Sequence, residues 1–201
     1  MTGKEIASLA FELKPAPRLP VTIIGGGAWA VNRAGKTFGR IKNDPGQIAD
    51  AFIRYARQFR LDLLWMGSNF INYPIHFLGC PLKDDSADSP ALEGAVIKSL
   101  DELETLSIEK ALNHPTMEAI IQAHYLVADA IGKDTLVIPT TWAPFTFAAR
   151  ILGGGGAAEG VVGSAPEPLG GCILRLEFQE AREVFDGFVE HAEVALSQGA
   201  F

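Results

Sequence analysis

The stretch TLVIPTTWAPFTFAARIL, residues 135–152, changes its apolar period in mid-run, and few folds accommodate such a change. Leu136, Val137 and Ile138 form a short apolar run bounded by Lys133 and Asp134, the pattern of a strand buried on both faces. Pro139 and Pro144 bar both a continuing ladder and an unbroken helix, so the chain turns between them. Phe145, Phe147, Ala148, Ile151 and Leu152 then recur at helical spacing. The unit reads strand, loop, helix. In α/β folds the loop leaving the carboxyl end of a strand is where ligands bind, which makes Thr140, Thr141, Trp142 and Phe145 the first candidates for function. Trp142 and Phe145 suit the cap of a hydrophobic core equally well.

The rest of the chain repeats this alternation. An amphipathic piece at 5–13 is broken by Pro15, Pro17 and Pro20, which sets off residues 1–20 as an N-terminal arm. Residues 21–24 with the glycines at 25–27 read as a buried strand whose exit bends sharply or comes close to a neighbour. The continuation Ala28-Trp29 departs from GxGxxG, so no dinucleotide site is expected. Asn32, Arg33 and Lys36 follow that strand, placed either to meet an anionic ligand or to lie in solvent. Asp44 caps a helix that has Pro45 at its first position, with Ile48, Phe52, Tyr55, Ala56 and Phe59 as the apolar stripe.

LDLLWM at 61–66 is the next strand, and Asn69 lies just past it, as a functional polar group or as a turn residue bonded to its own backbone. Residues 81–90 read as a polar surface loop, Ser99 caps a short helix to about 106, and 115–131 is a long helix stopped by Gly132. His124 lies near the packing face of that helix, as a structural histidine rather than a base. Such alternation of strand and helix implies an α/β fold with parallel strands and right-handed crossovers. Past it, 153–171 is a Gly-rich linker, and 177–197 carries Phe178, Val184, Phe185, Phe188 and Leu196 as a final amphipathic helix.

Charge and cysteine use narrow the function classes. A net charge of −7 with no basic block argues against nucleic acid and anionic membrane surfaces as partners. No apolar run approaches the ~18 residues of a membrane span, and the N-terminus has no signal-like apolar region, so a cytoplasmic protein is expected. Cys80 and Cys172 lack CxxC or HxC spacing, and His76 and Cys80 sit among Pro74, Gly79 and Pro81, so no metal site is expected within the chain.

Three segments together resemble the uroporphyrinogen decarboxylase (URO-D) superfamily, which also contains corrinoid methyltransferases of the methylcobalamin:coenzyme M type. They are DPGQIADAFIRYARQFRLDLLWMGSN, FLGCP followed by VIKSLDELETL, and TTWAPFTFAARILGG, in the family's order. The resemblance runs from about residue 20 to 153. It implies a TIM (β/α)8 barrel with the tetrapyrrole or corrinoid at the carboxyl ends of the strands. Within that barrel, residues 21–201 would supply about the first three β/α units. The closing SQGAF resembles the segment just before the family's fourth strand. The expectation is an incomplete chain, truncated or frameshifted near the Gly-rich stretch, or one whose open sheet edges are completed by self-association or a partner.

The resemblance also distinguishes activities. The two arginines that hold substrate carboxylates in the decarboxylases fall on Asn32 and Lys36, the aspartate facing the pyrroles falls on Asn69, and a tyrosine falls on Arg150. An amide in place of a carboxylate removes the charge that stabilises the developing cation. The resemblance therefore implies a methyltransferase-type protein, with uroporphyrinogen decarboxylase and a non-catalytic tetrapyrrole-binding or assembly module as alternatives. Trp29, Asn32, Arg33, Lys36, Asn69, Trp142 and Phe145 would shape the mouth for a corrinoid small molecule or a corrinoid protein. An intact homologue would hold zinc through a His-x-Cys pair and a later Cys, none of which this chain supplies. Catalytic residues are not identified.

Overall fold

The computed structural model describes residues 1–97 and 100–153. In chain order its elements are α1 (Gly3–Phe11), α2 (Gly27–Arg33), α3 (Phe38–Ile41), α4 (Pro45–Phe59), β1 (Leu63–Trp65), α5 (Tyr73–Phe77), β2 (Leu82–Lys83), β3 (Ala91–Leu92), α6 (Ile108–Leu112), α7 (Pro115–Ile131), β4 (Leu136–Ile138) and α8 (Pro144–Ile151). Gly67–Asn69 and Leu100–Thr105 are tighter 3-10 turns. The chain divides into two compact units, one made of Met1–Ile71, Asp84–Pro90 and Pro115–Thr141, the other of the remaining segments. The Gly-rich linker after Gly153, the expected final helix, Ser99 and Cys172 lie outside the described residues.

The first unit is built on a parallel pair. β1 runs alongside β4 in the register Leu63↔Leu136, Leu64↔Val137, Trp65↔Ile138. Bonds from Leu136 N to Asp62 O (2.8 Å) and from Met66 N to Ile138 O (3.2 Å) extend the ladder at both ends. Parallel strands need a crossover; the connection from β1 to β4 ends in α7, which packs on α4, the helix that leads into β1. α4 begins as the sequence implies: Asp44 Oδ1 accepts from Gln47 N at 2.9 Å, and Pro45 occupies a position whose N–H would have no helical partner. Arg60 ends it in the left-handed conformation, φ 50° and ψ 50°. Ile48, Phe52, Tyr55 and Ala56 are buried, whereas Phe59 is exposed, so the apolar stripe is a turn shorter than its spacing suggests.

Two strand expectations need correction. Residues 21–24 lie along β1 without forming a strand. Asp62 N and Leu63 N both converge on Val21 O, and Thr22 reaches Leu63 O with its hydroxyl (2.9 Å), so no repeating ladder develops. Gly25, at φ +75°, then turns the chain directly into α2. β4 is half-buried at all three positions rather than buried on both faces. Its described strand partner is β1 alone, which leaves its other edge without a described strand.

Residues 1–20 are tied into this unit. Thr2 and Glu5 make a reciprocal capping box, which starts α1 two residues before the amphipathic spacing does. Lys4 N donates to Asp134 O at 2.7 Å. The Arg18 guanidinium then straddles the carboxylate of buried Asp62, with Nη2 2.8 Å from Oδ1 and Nη1 on Oδ2, where Val21 N also donates at 2.7 Å. The Arg18 bond is the foremost cause holding the Asp62 carboxyl below its ordinary range, and burial opposes it.

In the second unit α5 packs on α6 and α8 around Ile75, Cys80, Ile97, Phe147, Ala148 and Ile151. Ser107 caps α6 by accepting from Lys110 N at 3.2 Å. A short antiparallel pair, β2 with β3, was not anticipated: Leu82 faces Leu92 and Lys83 faces Ala91 at the two ends of the polar stretch. The intervening residues Asp84–Pro90 belong to the first unit. The chain is therefore α/β with a parallel pair, and no described helix is long and apolar enough to cross a membrane.

Candidate functional site

At the carboxyl ends of β1 and β4 the two backbones nearly touch. A Cβ on Gly67 would stand 2.3 Å from Thr140 N and 2.4 Å from Thr140 O, so only glycine permits this approach. The turn Gly67–Asn69 then carries Asn69 inward, where it is 4% exposed. Its Oδ1 accepts from Ser89 Oγ at 2.6 Å. Its Nδ2 lies against Gly27, where a Cβ would come within 1.9 Å. The close approach implied by the glycine run is thus to Asn69, and Asn69 is more than a self-bonded turn residue.

Asn32, in the last turn of α2, donates through Nδ2 to Ala87 O. Asp84 accepts from Lys42 Nζ (2.8 Å) with its carboxylate and from Gly39 N (2.8 Å) with its carbonyl. The segment Asp84–Pro90 therefore meets both candidate amides, Asn32 and Asn69, within one unit. Arg33 ends α2 exposed and makes no ion pair among the described residues. Lys36 follows Gly35 (φ +71°) and faces Asp44. The Asp44 carboxyl sits below its ordinary range chiefly through the Gln47 N–H, with the Lys36 charge a smaller cause.

Trp29 is 43% exposed and leans on Tyr55 and Phe59, with ring centroids 5.8 and 5.1 Å apart. Tyr55 was legible only as an apolar stripe position, yet its hydroxyl is buried under Gly26 with no hydrogen-bond partner among the described residues. Burial raises its pKa. Trp65 Nε1 and Thr140 Oγ1, on residues at the ends of the two parallel strands, are likewise buried and unpartnered. Thr140 was among the strand-end candidates, but no sequence pattern marks the Tyr55 hydroxyl or the Trp65 indole N–H, because what makes them notable is the absence of a partner in space.

Trp142 belongs to the second unit. Its Nε1 donates to Asn72 Oδ1 at 2.9 Å, its body packs on the Ile75–Phe147 cluster, and the Arg150 guanidinium carbon lies 5.0 Å from its ring. Its body therefore helps to cover that core. Phe145 lies in α8, with its side chain outside the described part. His76 and Cys80 are not a ligand pair: His76 Nδ1 meets Cys80 O at 2.7 Å, while Cys80 Sγ turns to Gly94 O at 3.3 Å. Burial pushes the Cys80 thiol up, away from the thiolate a metal would need. Among the described residues no cluster of three His, Cys, Asp or Glu side chains could hold a metal ion. His124 bonds Ile120 O through Nδ1 (2.8 Å), but its Nε2 is buried without a partner among the described residues, and burial lowers its pKa.

A family profile described as uroporphyrinogen decarboxylase (URO-D) matches residues 2–161. Among solved structures, a methyltransferase from Methanosarcina mazei is similar, with a TM-score of 0.59 and 15% sequence identity over 76% of this chain. At that identity the likeness is one of fold. The match spans 45% of the methyltransferase chain, so less than half of that structure has a counterpart here. No curated protein matches significantly.

Proposed function

Because the chain belongs to the uroporphyrinogen decarboxylase family, we propose that it contributes the corrinoid-facing part of a methyltransferase-type (β/α)8 barrel and does not decarboxylate uroporphyrinogen. The observation that carries this reading is Asn69. Decarboxylation of a pyrrole acetate builds positive charge on the ring, and stabilising it takes a fixed negative charge at the carboxyl ends of the strands. Asn69 places a buried, neutral amide there, held by Ser89 and pressed against Gly27. Asn32 and Lys36 likewise lack the bidentate fork with which guanidinium groups grip carboxylates.

Amides suit a different ligand. A corrinoid is edged with carboxamides, and each Asn side chain offers both a donor and an acceptor to such a group. Trp29 presents a partly exposed indole on which a flat macrocycle can lie, backed by Tyr55 and Phe59. Zinc does not fit the described residues: Cys80 is buried toward Gly94 and His76 toward a carbonyl. No methyl-transfer step is therefore assigned to these residues, whose part is to bind and orient. The ligand is a free corrinoid or one carried by a corrinoid protein, and the edge of β4 that has no strand partner among the described residues is where further strands would join, from a second copy or a partner chain.

Two assays on one preparation test the reading. Titration with aquocobalamin should give a saturable change in its visible spectrum, and incubation with uroporphyrinogen should yield no decarboxylated product. Decarboxylated product, or no response to aquocobalamin, overturns the proposal.

A further inference from the structure

Both amides at the proposed site are already occupied by the chain itself. Asn32 Nδ2–H donates a hydrogen bond to the carbonyl of Ala87, and Asn69 Oδ1 accepts one from Ser89 Oγ at 2.6 Å. The same segment is pinned at its start, where Asp84 meets Lys42 Nζ at 2.8 Å and its carbonyl takes the Gly39 N–H at 2.8 Å. A Cβ on Gly39 would come within 2.6 Å of Asp84 Oδ1, so α3 is shaped to let the segment lie close. Two side-chain bonds to candidate ligand groups and a two-point anchor at one end are more than a surface loop requires.

We infer that Asp84–Pro90 is a strap holding the place of the ligand, and that a ligand binds by displacing it. This rests on the proposed reading of Asn32 and Asn69 as binding residues and adds the regulation of that site. The strap also defines what can replace it. The incoming group must offer an acceptor to Asn32 and a donor to Asn69, which a primary carboxamide does in one unit. A carboxylate at neutral pH offers acceptors only. The strap competes with ligand, so the apparent affinity is the intrinsic affinity reduced by the fraction of molecules with the strap released.

The test measures binding and strap release together, using aquocobalamin as probe and uroporphyrin as the carboxylate-edged control. In the unaltered protein, aquocobalamin should speed amide exchange of the Gly39 N–H, which the strap covers through Asp84 O, and uroporphyrin should not. The variant Asp84→Ala/Ser89→Ala, which removes two of the strap's side-chain bonds and no proposed ligand contact, should bind aquocobalamin about tenfold more tightly. Unchanged affinity in a variant whose Gly39 amide exchanges faster overturns the strap alone. Aquocobalamin binding that leaves the Gly39 N–H protected in the unaltered protein does the same. Failure of both proteins to bind aquocobalamin overturns the site reading and the strap with it, and loss of binding in the variant alone overturns the strap.

Discussion

Gly67→Ala tests the closest backbone contact in the first unit. The added Cβ would meet Thr140 N at 2.3 Å, O at 2.4 Å and Cα at 2.9 Å. These are main-chain atoms just beyond β4, and the bond from Met66 N to Ile138 O (3.2 Å) holds them in place. No side chain can swing aside, so the two strand ends must part by about an ångström. Overpacking of this kind costs roughly 1–3 kcal/mol, and here the upper end applies because only backbone can yield. Weakening the terminal ladder bond adds about 1 kcal/mol. The stiffer unfolded chain returns roughly 0.4–1 kcal/mol. The net loss is about 3 kcal/mol, which at a urea slope of about 2 kcal/mol per molar lowers the unfolding midpoint by about 1.5 M. The control is Gly46→Ala in the first turn of α4, where the Cβ meets only Asp44 Oδ1 at 3.4 Å. It should hold or raise the midpoint, since alanine is favoured over glycine in helices by up to about 1 kcal/mol. If tryptophan-monitored urea curves place the two variants at the same midpoint, the close approach of the strand ends is wrong.

Acid should loosen the clasp on Asp62. Its folded pKa lies below the unfolded value of about 3.9, so its contribution is fully present above that pH and is lost as pH falls through the folded value. Thermal melts of the unaltered protein and of Arg18→Ala should therefore differ at pH 7 and converge toward pH 3; a constant gap would contradict this. His124 titrates in a higher window, because burial lowers its folded pKa from an unfolded value of about 6.5. Its stabilising neutral form is complete above that value and is lost as pH falls through the folded one, so His124→Leu should flatten the stability loss between pH 7 and 5, and parallel profiles would refute it. Trp142→Phe keeps an aromatic ring but removes the indole N–H with its 2.9 Å bond to Asn72 Oδ1 and part of the packing surface, which together should cost at least about 1 kcal/mol in chemical denaturation. A cost near zero would mean that the bond contributes nothing.

What could be read from the sequence was local. Asp44-Pro45 announced α4, Pro139 closed β4 and Pro144 opened α8, because caps and prolines act within a turn of themselves. The likeness to a family was legible too, since three segments kept their order, and the profile match over residues 2–161 agrees with it. The surroundings of the site were hidden. Ser89 meets Asn69 across 20 residues of sequence and Asn32 meets Ala87 across 55, distances over which periodicity carries no signal. Residues 21–24 misled because an apolar run before glycines looks the same whether its carbonyls share a ladder or one carbonyl takes both donors. Trp142 carried two meanings at equal weight, and its packing on the Ile75–Phe147 cluster depends on folding that spacing does not encode.

The parallel pair also sets a timetable for biosynthesis. Thr135, at the entrance to β4, bonds Leu61 O across 74 residues, and Arg18 reaches Asp62 across 44. A chain growing from its N-terminus at roughly 5–20 residues per second therefore waits several seconds with β1 made and its neighbour still unsynthesised. During that wait the apolar flank of residues 61–66 has no strand to pair with, and the arm has only half of its anchorage. A nascent chain stalled between residues 70 and 130 should engage chaperones more strongly than one stalled after 150.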